Sequence, residues 1–510
     1  MKRVKVFLIN ALIVTATSLF LGSISVTFNV YLADKIGAAG MGLYQLIMSI
    51  YSFAVVFASS GIGLAATRLV AEELSHGPNG CVKKVMRRCT TYSVCFGLAA
   101  TLLLLLLAKP IGLHLLRDAR TIPSLYVLAL TLPFISISCT LNGYFTAMRR
   151  PIKSSSAQIL EQLVRMAAVV YLLQLLMPKG LEYACLALFL GGCIAEMLSF
   201  LYSLFLYLID KRRPKNDESQ PRNITRRMLG IALPIAFSTY LRTGLTSIKQ
   251  LLIPSSLQKS GSSKEVALAQ YGTINGMVMP IIYFPSAFLT AFSNLIVPEL
   301  AEYREQKNYA RIDYVAARVF QVALLFSIGV AGILTCFSGA LGTAIYHSAD
   351  AGEYIGLLAP LITLMYLDQC VDGMLKGLNA QVVSMRINIL DSFVSIILIY
   401  FLLPIFGIYG YIVVIFFSEL LNTSLSIWHL FKITNFRIKI FSWIVKPILA
   451  VIFSLCFVKV VAYFCVSPSG TSVAALVVYI ALSALIYLAL LRIMGCVSKD
   501  DCRLIRTIFR

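Results

Sequence analysis

Charge is what this 510-residue chain has least of. Asp, Glu, Lys and Arg together make up 13% of the positions, while hydrophobic residues make up 59%. A soluble chain of this length needs far more charge to cover its surface, so the excess apolar matter must face lipid. Polar stretches are also scarce, and the longest, from Asp210 to Arg227, is too short to fold as a soluble domain of its own. The twelve cysteines include no Cys-x-x-Cys, and Cys95, Cys139, Cys193, Cys370 and Cys456 fall within apolar runs. That excludes a disulfide framework and a cysteine metal set. Four histidines, widely separated and without an H-E-x-x-H arrangement, give no metalloenzyme signature, and neither a metal nor a cofactor is expected.

What the chain does have is about fourteen apolar stretches near the roughly 20 residues that a helix needs to cross the hydrocarbon. The expected fold is therefore an all-α membrane protein. The first stretch follows Lys2, Arg3 and Lys5 and looks like a signal peptide. It is too long and lacks a small-x-small cleavage site, so it is expected to remain as the first span. Net charge is +21, which invites a nucleic-acid partner. However, most of the 44 Lys and Arg fall in or beside the connections expected to be cytoplasmic (Arg68–Arg88, Asp210–Arg227, Arg304–Arg318). The positive-inside rule accounts for them without nucleic acid, although Lys211-Arg212-Arg213 is placed to touch lipid head groups. Basic ends, Lys2-Arg3 and the Arg503–Arg510 tail, put both termini in the cytoplasm. External connections are short (Asp34–Gly40, Lys179–Glu182, Phe406–Ile408, Ser467–Gly470) and leave no room for an external catalytic domain.

The chain also repeats. Tyr44 precedes Glu72 by the same interval as Tyr271 precedes Glu299, and Leu69-Val70-Ala71-Glu72 echoes Ile296-Val297-Pro298-Glu299. An even number of spans between the copies makes the repeat parallel. This gives an N-lobe at 1–227 (spans 1–6), a C-lobe at 228–440 (spans 7–12) and two extra helices with a basic tail at 441–510. In transporters with parallel repeats the site lies between the lobes.

Ionisable residues inside spans cost about 2.5–3.5 kcal/mol each on insertion scales, so each needs a reason. Arg242 and Lys249, seven residues apart in the seventh span, share a helix face, with Thr239, Thr243 and Thr246 nearby. They make a cationic stripe able to bind an anionic head group, with arginine binding it bidentately. The plainer reading has Lys249 reaching for the outer head groups. Glu161 and Arg165, at i and i+4 in the fifth span with Gln158 and Gln162 alongside, either neutralise one another or set Arg165 on a cavity wall. Asp368, Asp372 and Lys376 form an i, i+4, i+8 line in the tenth span, placed for a gate or an inter-lobe salt bridge. Glu196 and Glu419 sit at corresponding depths of spans six and twelve, suited to proton coupling or to a hydrogen-bonded structural role. Pro133, Pro234, Gly276, Pro280, Pro285 and Pro360 mark expected kinks.

Several phrases in order resemble the multidrug/oligosaccharidyl-lipid/polysaccharide exporter superfamily. They are Gly40-Met41-Gly42-Leu43-Tyr44-Gln45, then Gln158 to Arg165, then Asp391-Ser392 with Leu403-Pro404-Ile405-Phe406-Gly407-Ile408-Tyr409-Gly410-Tyr411. Within it the chain looks most like the polysaccharide-biosynthesis, stage V sporulation protein B branch, related to the lipid II flippases. The resemblance implies two six-helix lobes around a central cavity, alternating access, and a place in a bacterial plasma membrane. It also implies polyprenyl-pyrophosphate-linked sugars for polysaccharide or cell-wall synthesis as substrate, moved from the inner to the outer leaflet. Membrane lipids and a coupling cation would be its other partners, with the protein a monomer. The related lipid II flippases carry cavity-facing arginines in their first span, whereas no Lys or Arg stands between Lys5 and Lys35 here. A pyrophosphate would then have to be met by charges elsewhere. The competing readings are a cation-coupled drug antiporter, for which an acidic and aromatic site would be expected, and a membrane glycan polymerase or glycosyltransferase, which usually carries a large external loop or a soluble domain.

Overall fold

The computed structural model describes residues 2–75, 81–210, 223–436, 438–465 and 473–496. Lys211-Arg212-Arg213, the Ser467–Gly470 connection and the Arg503–Arg510 tail lie outside these, as do the side chains of Lys2, Arg3 and Lys5. The described residues form helices and no strand. In a bilayer this is the arrangement that satisfies every backbone N–H and C=O within its own segment. The chain is a multi-pass all-α membrane protein. Among the described residues, eleven helices are long and apolar enough to cross a membrane, or twelve counting Lys264–Tyr283 with Ser286–Glu305 as one span bent by 58°. Two of these candidates, of 56 and 53 residues, are each long enough for two crossings at 1.5 Å per residue. The short external connections expected at Asp34–Gly40 and Phe406–Ile408 are reduced to single non-helical residues within them. These are Gly37 (φ 67°) and Gly407 (φ 58°), in the left-handed region where glycine carries no steric penalty.

The chain divides into two compact units, one of residues 1–28 and 35–272 and the other of 29–34 and 273–510. Packing therefore places the helices of 224–272 in the first unit, whereas the repeat suggests a boundary at 227.

The first unit holds most of α1 (Lys2–Ser59), then α2 (Ile62–Ser75), α3 (Val82–Pro110), α4 (Ile122–Ala147), α5 (Pro151–Leu176), α6 (Leu181–Leu208), α7 (Ile224–Lys259) and α8 (Lys264–Gly272). Helix α4 packs between α3 and α6, α5 lies on α6, and α2 packs against α3, α4 and α7. Their shared core gathers Ile62, Leu69, Val85, Met86, Tyr144, Phe145 and Met228, all buried. In contrast, Leu98, Leu102, Leu103 and Leu106 on α3 and Phe237 on α7 remain exposed. Continuous exposed leucine of this kind belongs against acyl chains.

The second unit runs through α9 (Met279–Tyr283), α10 (Ser286–Glu305), α11 (Tyr309–Cys336), α12 (Ser338–Tyr346), α13 (Ala349–Leu358), α14 (Ile362–Gly377), α15 (Gln381–Ile433), α16 (Lys446–Cys465) and α17 (Val473–Ile493). Helix α14 packs on α10, α11 and α15, and α16 with α17 docks on α11. Hydrogen bonds fix that docking: Tyr487 Oη donates to the Leu325 carbonyl (2.6 Å) and Gln321 Nε2 to the Cys496 carbonyl (2.7 Å).

Of the expected breakers, Gly276, Pro280, Pro285 and Pro360 lie at irregular backbone, while Pro133 and Pro234 are held within continuous helices. Pro133 and Pro234 sit inside α4 and α7, Gly276 lies in the π-helical turn Thr273–Val278, Pro280 opens α9, Pro285 marks the 58° bend, and Pro360 sits in a 3₁₀ turn before α14. Proline removes an i→i−4 hydrogen bond and clashes with the preceding turn, which is why the chain bends at Pro285.

Candidate functional site

Helix α7 is held by one of its faces. Tyr240 Oη lies 2.5 Å from Ser60 Oγ, and Ser247 Oγ donates to the Ser49 carbonyl (2.8 Å). Arg242 and Lys249 follow these two anchors by two residues each, a rotation of about 200° at 3.6 residues per turn. The cationic line is thus turned away from the anchored face. Arg242 is exposed, and its guanidinium has no hydrogen bond or ion pair among the described residues. Lys249 is half-buried. Thr246 is exposed but its hydroxyl donates back to the Arg242 carbonyl (3.0 Å), as Thr239 does to Ile235 (2.8 Å). These hydroxyls remain available chiefly as acceptors, which leaves Arg242 the principal donor on this stretch.

A second group lies on α5 and α6 of the same unit. Arg165 Nη2 donates to Glu161 Oε1 in an i, i+4 ion pair, and Gln162 beside it is half-buried. The Nε–H of Arg165 is buried and has no partner. Glu196 on α6 stands within electrostatic reach of both Glu161 and Arg165. So do two tyrosines of α1: Tyr44 is near Arg165 and stacks on Phe189 (5.3 Å between centroids), and Tyr51 is near Arg165 and Glu196. Tyr51 Oη is also 2.6 Å from Thr131 Oγ1. The structure therefore brings Arg165, Glu161 and Glu196 together, and adds Tyr51, which sequence reasoning missed. The available signal was its spacing: Tyr51 follows Tyr44 by seven residues, on the same helical face. No hydrogen bond or ion pair among the described residues joins this group to Arg242.

The third group belongs to the second unit. The line Asp368, Asp372, Lys376 on α14 splits in two. Lys376 Nζ pairs with Asp372 Oδ2 within its own helix (2.5 Å), and Ser384 donates to the other Asp372 oxygen. Where sequence offered an inter-lobe bridge, the partner of Lys376 is the carboxylate one turn away. Asp368 instead accepts from Asn422 Nδ2 (2.9 Å), with Ser426 and Asp391 nearby and Asp391 held by Ser418 Oγ (2.6 Å). Asp368 Oδ1 and Asn422 Oδ1 are both buried without a partner. Two orphaned acceptors in a low-dielectric interior are costly unless a proton or a cation meets them. Glu419, three residues before Asn422, lies within electrostatic reach of Tyr283. Asn422 and Ser418 were not legible beforehand, because they sit 54 and 27 residues from their carboxylates. Among the described residues no group of three or more His, Cys, Asp or Glu side chains could hold a metal ion.

These features are consistent with what the chain is similar to. Stage V sporulation protein B of Bacillus subtilis (strain 168) is 27% identical over 512 residues, covering 99% of this chain and 98% of that protein. Among solved structures, the lipid II flippase MurJ in an inward closed conformation superposes with a TM-score of 0.72 at 12% identity, over 94% of this chain and 98% of that one. An inward-facing multidrug resistance MATE transporter gives 0.56 at 15% identity, over 82% and 98%. Residues 7–292 match the family model described as polysaccharide biosynthesis protein. That match spans more than half of the chain, which therefore belongs to the polysaccharide biosynthesis protein family of the multidrug/oligosaccharidyl-lipid/polysaccharide exporter superfamily, a family of membrane transporters.

Proposed function

We propose that this transporter moves a polyprenyl-pyrophosphate-linked oligosaccharide, polysaccharide or peptidoglycan precursor from the inner to the outer leaflet. The observation that carries the reading is the supply of unsatisfied cationic donors within spans: the guanidinium of Arg242 and the buried Nε–H of Arg165. A guanidinium in a membrane helix is costly, and a pyrophosphate is the ligand that answers it with charge and paired acceptors. In this reading the first-span arginines of the related lipid II flippases are replaced by Arg242, Lys249 and Arg165, with Gln162 and Thr246 meeting the sugars. The polyprenyl tail stays in lipid while the head group crosses, and the lobes rock to alternate access without any bond being made or broken. Fourteen crossings, both termini in the cytoplasm, a plasma-membrane location and a monomeric state belong to the same reading. Stage V sporulation protein B as a relative supports a role in envelope synthesis or sporulation.

The orphaned oxygens of Asp368 and Asn422 favour a coupling cation or proton in the second unit, with Glu196 and Glu419 as further exchange sites and the Asp372–Lys376 pair as a gate. They also support the antiporter reading, since MATE structures share the fold. The deciding experiment is transbilayer movement of a lipid-linked oligosaccharide in proteoliposomes, comparing the wild type with Arg242→Ala/Lys249→Ala. Movement that the double variant loses upholds both function and site. Movement that survives discards the site. Uptake of an organic cation with no lipid-linked movement under any gradient replaces the flippase reading with the antiporter one.

A further inference from the structure

At one end of the first unit, three segments distant in sequence meet. Residues 111–121 link α3 to α4, residues 260–263 link α7 to α8, and the stretch of α1 after Gly37 lies between. The topology expected from the positive-inside rule puts both links on the external side. Lys264, the first residue of α8, donates from Nζ to Asp118 Oδ2 (2.9 Å) and to the Arg117 carbonyl (2.7 Å). Asp118 is 5% exposed and also grips Arg120 through Nε (2.9 Å) and Nη2 (2.7 Å). Beneath this cluster α1 and α8 touch backbone to backbone: a Cβ at Gly42 would stand 2.1 Å from the Leu268 carbonyl oxygen, and one at Gly272 2.0 Å from that of Ala38. The space left among Leu43, Leu46, Asp118, Lys264 and Leu268 is about 20 Å³, room for hardly more than one water.

The position of this seam matters. The chain passes from the first compact unit to the second between Gly272 and Thr273, where the π-helical turn Thr273–Val278 begins. It also changes unit twice within α1, at Phe28/Asn29 and at Asp34/Lys35, the latter two residues before the non-helical Gly37. The crossing at Gly272/Thr273 falls where regular helix gives way to the π-helical turn and the one at Asp34/Lys35 lies two residues from a break, and such breaks are where helices bend. The glycine contact and the Lys264 bridge pin the residues flanking both.

We propose that Lys264 is an external latch: its bridge to Asp118 and Arg117 holds the Gly42/Gly272 seam closed, and its release frees α8 to swing about the π-helical turn. This rests on the alternating-access reading of the protein. Burial by itself raises the Asp118 carboxyl, but the hydrogen bonds from Arg120 and Lys264 outweigh it and hold the group down at about 2. The latch is consequently charged throughout the physiological range. Arg117, Arg120, Glu265 and Cys185 are the other titratable groups around it.

The test is thiol labelling of the full chain in proteoliposomes by N-ethylmaleimide, read peptide by peptide. The two reporters are the native Cys185, fully buried near Asp118 and Arg120, and Leu268→Cys at a position 3% exposed. Lys264→Met should raise both labelling rates about ten- to hundredfold, the effect of losing one charge-assisted hydrogen bond. Lys264→Arg, which keeps the charge, should leave them near the wild type. Labelling in Lys264→Met equal to the wild type, or an equal rise in Lys264→Arg, would overturn the latch. Because labelling needs no substrate, an absence of glycan movement in every variant would discard the flippase reading and still leave the latch decided.

Discussion

A single methyl group at the α1/α8 seam should separate the two helices. An alanine Cβ at Gly42 would lie 2.1 Å from the Leu268 oxygen, 2.9 Å from the carbon bonded to it and 3.3 Å from the Gly272 nitrogen. Close carbon–oxygen contacts settle at about 3.3–3.6 Å, so the backbones must part by more than about 1 Å. All three opposing atoms are backbone, and no rotamer change can absorb the overlap. Overpacking typically costs about 1–3 kcal/mol, and backbone on both sides puts this case near the upper end. Against it stands the gain of about 1 kcal/mol from replacing glycine by alanine within a helix. A net loss of about 2 kcal/mol opens the seam roughly thirtyfold more often. The assay is the labelling rate of Leu268→Cys in Gly42→Ala, with Gly192→Ala and Gly230→Ala as controls, since a Cβ at either control position meets nothing within 4 Å. Controls at the wild-type rate beside a fast Gly42→Ala would support the reasoning. Gly42→Ala labelled no faster than the controls and melting no lower would refute it. Gly42→Ala/Gly272→Ala should cost less than the sum of its parts, because helices already separated admit the second methyl cheaply.

Other outcomes follow from the remaining groups. Arg165→Lys keeps a charge but loses the unpartnered Nε–H; glycan movement should fall roughly tenfold at limiting substrate and recover at saturation, and an unchanged concentration dependence would remove Arg165 from the site. Asp368→Asn supplies a neutral carboxamide where Asp368 Oδ1 lacks a partner, so any dependence of transport on sodium or on a proton gradient should flatten; dependence preserved at wild-type steepness would locate coupling elsewhere. For Asp118 the folded carboxyl lies below its ordinary value, so its contribution is complete above about pH 4 and disappears as pH falls toward 2. Cys185 labelling, corrected for thiolate fraction, should thus stay flat from pH 8 to about 5; a rise centred near neutrality would assign the latch to another group. Tyr487→Phe removes the bond to the Leu325 carbonyl and should cost about 0.6 kcal/mol, the average for such bonds between membrane helices, seen as a small fall in melting temperature.

How much of this was legible beforehand depends on the range of the interaction. Spans, their basic flanks and their proline breaks are properties of contiguous sequence. Lipid cannot hydrogen-bond to backbone, so an apolar run of sufficient length has helix as its single solution, and Pro285 marks a bend as its chemistry dictates, whereas Pro133 and Pro234 stay inside continuous helices. Glu161 with Arg165 and Asp372 with Lys376 were visible for the same reason, since a spacing of four on a helix fixes proximity whatever the rest of the fold does. Tertiary structure alone decided the others. Asp368 meets Asn422 across 54 residues, Lys264 meets Asp118 across the whole of α4 to α7, and Gly42 meets Gly272 at a distance no side chain tolerates. It also decided that Tyr240 and Ser247 anchor α7, which turns Arg242 away from the anchored face. Each of these depends on how one helix is rotated and placed against another, and a periodic apolar pattern leaves that rotation open until packing selects it.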